Sequence, residues 1–318
     1  MRQRLLLVML TLAGVAIAQV SGPSMGLIFD PSQSALRPIL GMPGAATLGG
    51  PVNPGFAISS AVVAPRQDYA LAVRANDSSV VLVRTGAEVT SAAIAGARPA
   101  PALMVFSPAG TAAALYDSAS GLAQILTGLP DLPAIQADMD VSVLAGPVAA
   151  VAVDDAGGTV LVAAGPTDAV SLYRIVRDSA PEFLASFRSV AALRIDGRDA
   201  LLADPAAGAV YRVRDVRRAA AVEVIASGLG APIGVESDSA GRIFVADQGG
   251  TLTILDRSQG AVAKLSCGCS PAGLFRLSGT ATFRLTEPSG APIWVLDASA
   301  GEPQAVAIPP AADEGGKQ

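Results

Sequence analysis

The groups able to do chemistry in this chain are few, and one type is missing. None of the 318 residues is a histidine. That removes Ser-His-Asp and Cys-His nucleophile systems, histidine metal sites and histidine general bases. What remains is mostly acid. A carboxylate recurs at Asp77, Asp117, Asp168, Asp204, Asp247 and Glu287, at intervals of 40, 51, 36, 43 and 40 residues. Two readings of such a series stand. One is a ring of acids on one face of the molecule that attracts a cation or a basic ligand. The other is a single turn repeated, in which a short carboxylate accepts hydrogen bonds from its own backbone. A repeated architecture repeats its turn residues, so the second reading is the expectation.

The only thiols, Cys267 and Cys269, lie in "SCGCS". In a flat strand, residues i and i+2 point the same way with Cα atoms roughly 6.6 Å apart, which leaves their Cβ atoms too distant for a disulfide. Gly268 between them tolerates the backbone bend that closes the gap. The readings are a local disulfide, two inert thiols, or a metal or redox role. Two thiolates without histidine make only half a zinc site. The glycine-rich stretch around Gly41 to Gly50 is no phosphate loop, because no lysine follows where one is required. "RDVRRAA" (Arg214 to Ala220) is a basic cluster that reads as a solvated outer turn, and Trp294 reads as packing.

These residues must be held by some element, and the same phrase is written six times. "GRIFVADQGGTLTILDR" (Gly241 to Arg257) is a polar turn, an apolar strand, an acid, a glycine turn and a second strand. The order recurs in "GRDALLADPAAGAVYRVRD", "GGTVLVAAGPTDAVSLYRI", "QDYALAVRANDSSVVLVRT", "GTAAALYDSASGLAQILT" and "GTATFRLTEPSGAPIWVLD". A strand-like run precedes each phrase ("AISSAVVAP", "ALMVFSP", "VAAVAVD", "VAALRID", "PIGVESD", "AGLFRL") and another follows it. Four short strands in about 42 residues form no core alone, but stacked around an axis they bury both faces. Helical spacing of three and four is absent from these runs. The fold class predicted is therefore all-β, a β-propeller of six complete four-stranded repeats plus an N-terminal hairpin, with seven blade positions favoured over six. The hairpin "MGLIFDPSQSALRPILG" (Met25 to Gly41) resembles the outer two strands of a blade. It either adds a partial seventh blade or lies against the closure of the ring.

The "G-x-[IL]-x-V-A-D" core of "GRIFVADQGGTLTILD" resembles the blades of NHL-repeat and related propellers found in exported bacterial proteins. The likeness covers roughly Pro54 to Pro309, and it implies blade architecture rather than an activity. The blades depart from the NHL pattern in that none of the six has the usual asparagine in the turn after the acid. Gluconolactonase-like propellers, by resemblance, hold a divalent cation with Glu and Asn ligands. This chain has two asparagines, Asn53 and Asn76, so only a carboxylate calcium site is open to it.

The N-terminus carries a basic "MRQR", an apolar "LLLVMLTLAGVAIA" and a small-x-small site at Ala16-Ile17-Ala18. The apolar run is short for a span of about 20 residues, so residues 1–18 read as a signal peptide cut before Gln19; an uncleaved anchor is the alternative. Cleavage leaves 20 of the 22 basic residues against 27 acidic ones and moves the formal charge from −5 to −7. Such a charge repels nucleic acid and anionic membrane surfaces. The expected organisation is one propeller domain over 19–308 and a polar tail over 309–318. The chain is expected in the periplasm or outside the cell, without a cofactor, without stable membrane insertion once cleaved, and with a protein or small ligand as partner. A non-catalytic binding scaffold is the expected function; the alternative is a calcium-dependent propeller hydrolase or lactonase using carboxylates at the channel.

Overall fold

The computed structural model describes residues 22–310 except 87, 219 and 257–259. The signal-peptide expectation and most of the polar tail lie outside the described residues.

Seven antiparallel sheets make up the fold. Blade 1 has three strands, β1 (Ser24–Asp30), β2 (Ala35–Leu40) and β3 (Thr47–Leu48). Six four-stranded blades follow in chain order. Blade 2 is β4 (Ile58–Val63), β5 (Tyr69–Arg74), β6 (Val80–Thr85) and β7 (Val89–Ala93). Blade 3 is β8 (Leu103–Phe106), β9 (Ala112–Asp117), β10 (Leu122–Thr127) and β11 (Ala134–Asp140). Blade 4 is β12 (Val148–Val153), β13 (Thr159–Ala164), β14 (Val170–Val176) and β15 (Glu182–Phe187). Blade 5 is β16 (Ala192–Asp196), β17 (Asp199–Asp204), β18 (Ala209–Arg214) and β19 (Ala221–Ala226). Blade 6 is β20 (Pro232–Ser237), β21 (Ile243–Asp247), β22 (Thr251–Asp256) and β23 (Gly260–Ser266). Blade 7 is β24 (Phe275–Arg276), β25 (Thr282–Arg284), β26 (Ile293–Asp297) and β27 (Gln304–Ile308). The molecule is a seven-bladed β-propeller.

Burial explains why these short runs hold. The first strands of successive blades neighbour one another around the axis. The second strands are walled by blades on both sides: all of β13 (TVLVAA) is buried, and so are the first five residues of β5 (YALAVR). A strand buried on both faces reads as a continuous apolar run rather than an alternation. The fourth strands form the outer rim, and every residue of β7 is exposed. Seven apolar clusters fill the seven interfaces between neighbouring blades. Alanine, valine and leucine dominate them, and the small alanines let flat sheets approach closely.

The N-terminal hairpin departs from expectation. It supplies inner strands, not the outer two: β1 lies beside β4 at the axis and β3 is on the outside. The expectation failed because Met25, Ile28, Leu36 and Ile39 are all buried, and such a pattern suits the inner half of a blade. No fourth strand follows in blade 1. Past β3 the chain reads "GGPVNPG", and proline cannot donate to a ladder. The hairpin also closes the ring. Met25, Ile28 and Ile39 pack on Leu277, Ile293, Val295 and Ile308 of blade 7, and Ser278 N donates to Met25 O at 2.7 Å.

A side chain from blade 2 fastens this closure. Gln67 Oε1 accepts from Leu27 N at 2.7 Å in blade 1, and Gln67 Nε2 donates to Arg276 O at 2.6 Å in blade 7. One amide thus spans three blades. Gly26, at φ 135°, leaves room for it.

Candidate functional site

The six acids all occupy the connection between second and third strands, so they share one face of the disc. They do not share one register. Asp117, Asp204 and Asp247 end β9, β17 and β21, whereas Asp77, Asp168 and Glu287 lie in the turns beyond β5, β13 and β25. Their environments differ as much. Asp77 Oδ1 accepts from Ser79 N at 2.9 Å and Ser79 Oγ at 2.7 Å. Asp117 accepts from Ala119 N at 2.9 Å and Ser120 Oγ at 2.6 Å. Hydrogen bonds from Ser79 and Ser120 hold these two carboxyls below the usual range. Glu287 accepts from Arg284 Nη1 at 2.6 Å. Asp168, in the left-handed region at φ 68°, faces Arg188 Nη2 at 3.7 Å, with both side chains well exposed.

Asp204 is fully buried and carries an inter-blade joint. It accepts from Arg188 N at 2.9 Å, Ser189 N at 3.1 Å, Ser189 Oγ at 2.7 Å and Ala207 N at 3.0 Å. These donors lie at the entry to its own blade and in its own turn. Asp247 sits in the matching place with far less. Its Oδ2 accepts from Gly230 N at 3.2 Å, while Oδ1 is buried without a hydrogen-bond partner. Ala231 stands on the entry loop where blade 5 has Ser189, so the hydroxyl is missing. Burial accordingly pushes the Asp247 carboxyl up, with the Gly230 bond and Lys264 opposing. The structure does not bring the six acids together: among the described residues no three His, Cys, Asp or Glu side chains form a group able to hold a metal ion.

Cys267 and Cys269 are joined as a disulfide, with Cα atoms 5.1 Å apart. Gly268, at φ 62°, makes the bend between them. The pair follows β23 on the way to blade 7 and leans on the turn after Asp247, where Cys267 N donates to Gly250 O at 3.0 Å. "RDVRRAA" proves to be an inter-blade tie: Arg217 Nη2 lies 3.0 Å from Oδ2 of the buried Asp154 in blade 4.

The axis of the disc holds an apolar channel of about 170 Å3. Its walls come from the first strands of blades 3 to 7 and the residues just before them, mainly alanine, glycine, valine and leucine. β-Bulges recur in the first strands of blades 4 and 6, between Val148 and Ala150 and between Pro232 and Gly234, and the bulged Ala149 and Ile233 both line the channel. Bulges re-aim side chains in this way. One charged side chain lines the cavity, Arg194 of β16. It belongs to a chain of three. Arg194 Nε lies 2.7 Å from Glu236 Oε1 in β20, and Arg276 Nη2 of β24 lies 3.2 Å from Glu236 Oε2. Arg276 also donates to Ser237 O and Thr280 O.

Sequence reasoning missed this trio. Each member, 42 and 40 residues from the next, reads as an ordinary surface charge. The signal was nonetheless present. Arg194 and Glu236 stand two residues before the acids Asp196 and Asp238 that begin the first turns of their blades, in runs that are otherwise apolar. Val62, Val105 and Ala152 hold the corresponding positions of blades 2, 3 and 4.

No protein-family profile matches the chain, and no curated protein does. Solved structures match over most of it. A protein of unknown function from Desulfotomaculum acetoxidans has a TM-score of 0.62 at 11% identity, over 90% of this chain and 99% of that one. A protein from Lactobacillus plantarum has a TM-score of 0.61 at 13% identity, over 90% and 96%. PorZ, a surface component of the type-IX secretion system of Porphyromonas gingivalis, has a TM-score of 0.60 at 14% identity; the match covers 91% of this chain and 38% of PorZ. At such identities the likeness is one of fold, and what the chain is similar to is the β-propeller.

Proposed function

We propose that the chain is an exported, non-catalytic propeller of the NHL-like type that serves as a binding scaffold for a protein or small ligand. The observation that supports it most is the commitment of its acids. Asp77, Asp117 and Asp204 direct their oxygens at backbone and hydroxyl donors of their own turns or of the adjacent blade joint, and Glu287 pairs with Arg284. Carboxylates so occupied have little left for a substrate. Among the described residues the channel wall carries no acid at all, whereas a calcium-dependent hydrolase needs several converging there. Export is supported by the N-terminal basic, apolar and small-x-small segments of the sequence, and by a disulfide, which persists in oxidising compartments.

The test is thermal unfolding with millimolar calcium and with a chelator, beside an assay for hydrolysis of simple lactones and esters. An unchanged melting temperature and no turnover support the scaffold. Ligands that bind only the folded state raise its stability by mass action, so a calcium-dependent rise removed by Asp→Asn changes overturns the proposal in favour of the propeller hydrolase.

A further inference from the structure

The axial channel has one charged side chain in its wall, and that group is not fully used. Arg194 gives Nε to Glu236 and Nη1 to Leu193 O at 3.1 Å. Among the described residues its Nη2 has no protein partner, and its side chain is 39% exposed in the channel wall. Arg276 differs: its donors go to Glu236, Ser237 O and Thr280 O, and its guanidinium lies over the Phe283 ring at 5.1 Å. The trio of two arginines and one glutamate carries a formal charge of +1 in a chain of −5. A guanidinium beside an apolar wall, with one edge left open by its pairing to Glu236, favours an anion over a neutral guest. The planar guanidinium edge matches a carboxylate or an oxyanion.

The rest of the wall selects between those anions. Ala150, Ala192, Gly234, Val235 and Leu274 offer small apolar surface and no second cation. A multiply charged phosphate would lose water there without finding further donors, and burying charge unpaired is costly. A carboxylate with a short aliphatic tail places its charge on Arg194 and its methylenes against alanine and glycine. The channel's 170 Å3 is close to the roughly 150 Å3 of an engineered apolar cavity that takes benzene, so a tail of a few carbons fits. We propose that the channel binds a short-chain carboxylate through the free edge of Arg194, with Glu236 acting as the positioning residue that fixes that edge. This deepens the scaffold reading and rests on it.

The experiment is titration calorimetry and ligand-observed NMR with butyrate, butyramide and inorganic phosphate. Butyrate is expected to bind saturably. The uncharged butyramide, and phosphate, are expected to bind at least about ten-fold more weakly, since a charge-assisted hydrogen bond is worth about that factor or more. Arg194→Gln should abolish butyrate binding while the melting temperature stays within a few degrees, because Glu236 keeps Arg276. Arg194→Lys should retain weak binding, with charge but no fork. Glu236→Ala, which leaves the Arg194 guanidinium unfixed, should weaken butyrate binding several-fold, whereas Glu236→Gln, which can still accept from Nε, should not. Equal binding of butyrate by Arg194→Gln, or binding of butyramide or phosphate as tight as that of butyrate, overturns the proposal, as does no binding of butyrate at all. None of these failures touches the calcium and turnover test, so loss of the carboxylate site and loss of the scaffold reading are told apart.

Discussion

One amide fastens the ring closure beside its apolar cluster, and breaking it has a calculable cost. Gln67→Ala deletes the acceptor of Leu27 N and the donor to Arg276 O. Each stranded, partly buried backbone group costs about 1–2 kcal/mol. Alanine keeps the backbone strain of this position, whereas glycine would relieve it. Gln67 stands at φ 64°, an arrangement that costs any non-glycine residue about 1 kcal/mol, so Gln67→Gly should be the milder change despite losing the same bonds. The sum for Gln67→Ala is about 2–4 kcal/mol. With an unfolding entropy near 2.1 cal/mol/K per residue, a domain of this size shifts by about 2 °C per kcal/mol, so the expected drop is about 4–8 °C. Gly26→Ala attacks the same contact from the other side. Its Cβ would meet Gln67 Cδ at 2.9 Å, and the glycine is at φ 135°, so it must displace the amide and strain the backbone as well. The two changes should therefore be strongly non-additive. In the Gln67→Ala background, Gly26→Ala keeps only its backbone strain. The assay is thermal and urea unfolding of the four proteins, with Arg66→Ala as a surface control whose salt bridge to Asp68 is exposed on both sides. A drop below 1 °C for Gln67→Ala, or additive losses, would refute the reasoning.

Two further tests concern the acids. Burial holds the folded Asp247 carboxyl above its ordinary value, so its contribution is most favourable below the unfolded carboxylate range and is lost as pH rises through the folded value. Asp247→Asn should equal or exceed the wild type in melting temperature at pH 7, with the gap closing towards pH 4; a clear loss at pH 7 would show that the charge is needed. Asp204→Ala strands four donors around a fully buried site and should cost about 3–5 kcal/mol, whereas Asp77→Ala, at an exposed turn, should leave the melting curve nearly unchanged. Equal effects in urea unfolding would mean that the repeat position, not the environment, sets the cost.

The six repeating blades were legible because blade physics writes itself into every copy. A strand buried on both faces must be apolar throughout, as "TVLVAA" and "IFVAD" are, and a tight turn must carry glycine or a short acid. All six four-stranded blades follow from that. Blade 1 was only half legible. Its strands are read correctly as a hairpin, but nothing local in "MGLIFD" says whether it faces the axis or the rim; that is decided by Leu277 and Ile308, more than 200 residues away in the chain. The acids were legible as turn residues and not as individuals. What separates Asp204 from Asp247 is a serine at 189 against an alanine at 231, on a loop that sequence periodicity does not align.

A repeat tells least about function where it is most regular. Selection for a blade returns the same kind of residue at the same turn whatever the molecule binds, so six acids in series report the turn and not the ligand. Function must be sought where one copy departs from the others without a structural reason. The first strands of blades 2, 3 and 4 put Val62, Val105 and Ala152 where blades 5 and 6 put Arg194 and Glu236, and the three apolar versions are stable elements of the same ring. Charge at the axis is therefore not required for the fold. It carries a desolvation cost that packing alone would have avoided. It also gives an otherwise apolar channel one distinct side, at Arg194 of blade 5, and a directional cation on that side is what an asymmetric small ligand requires.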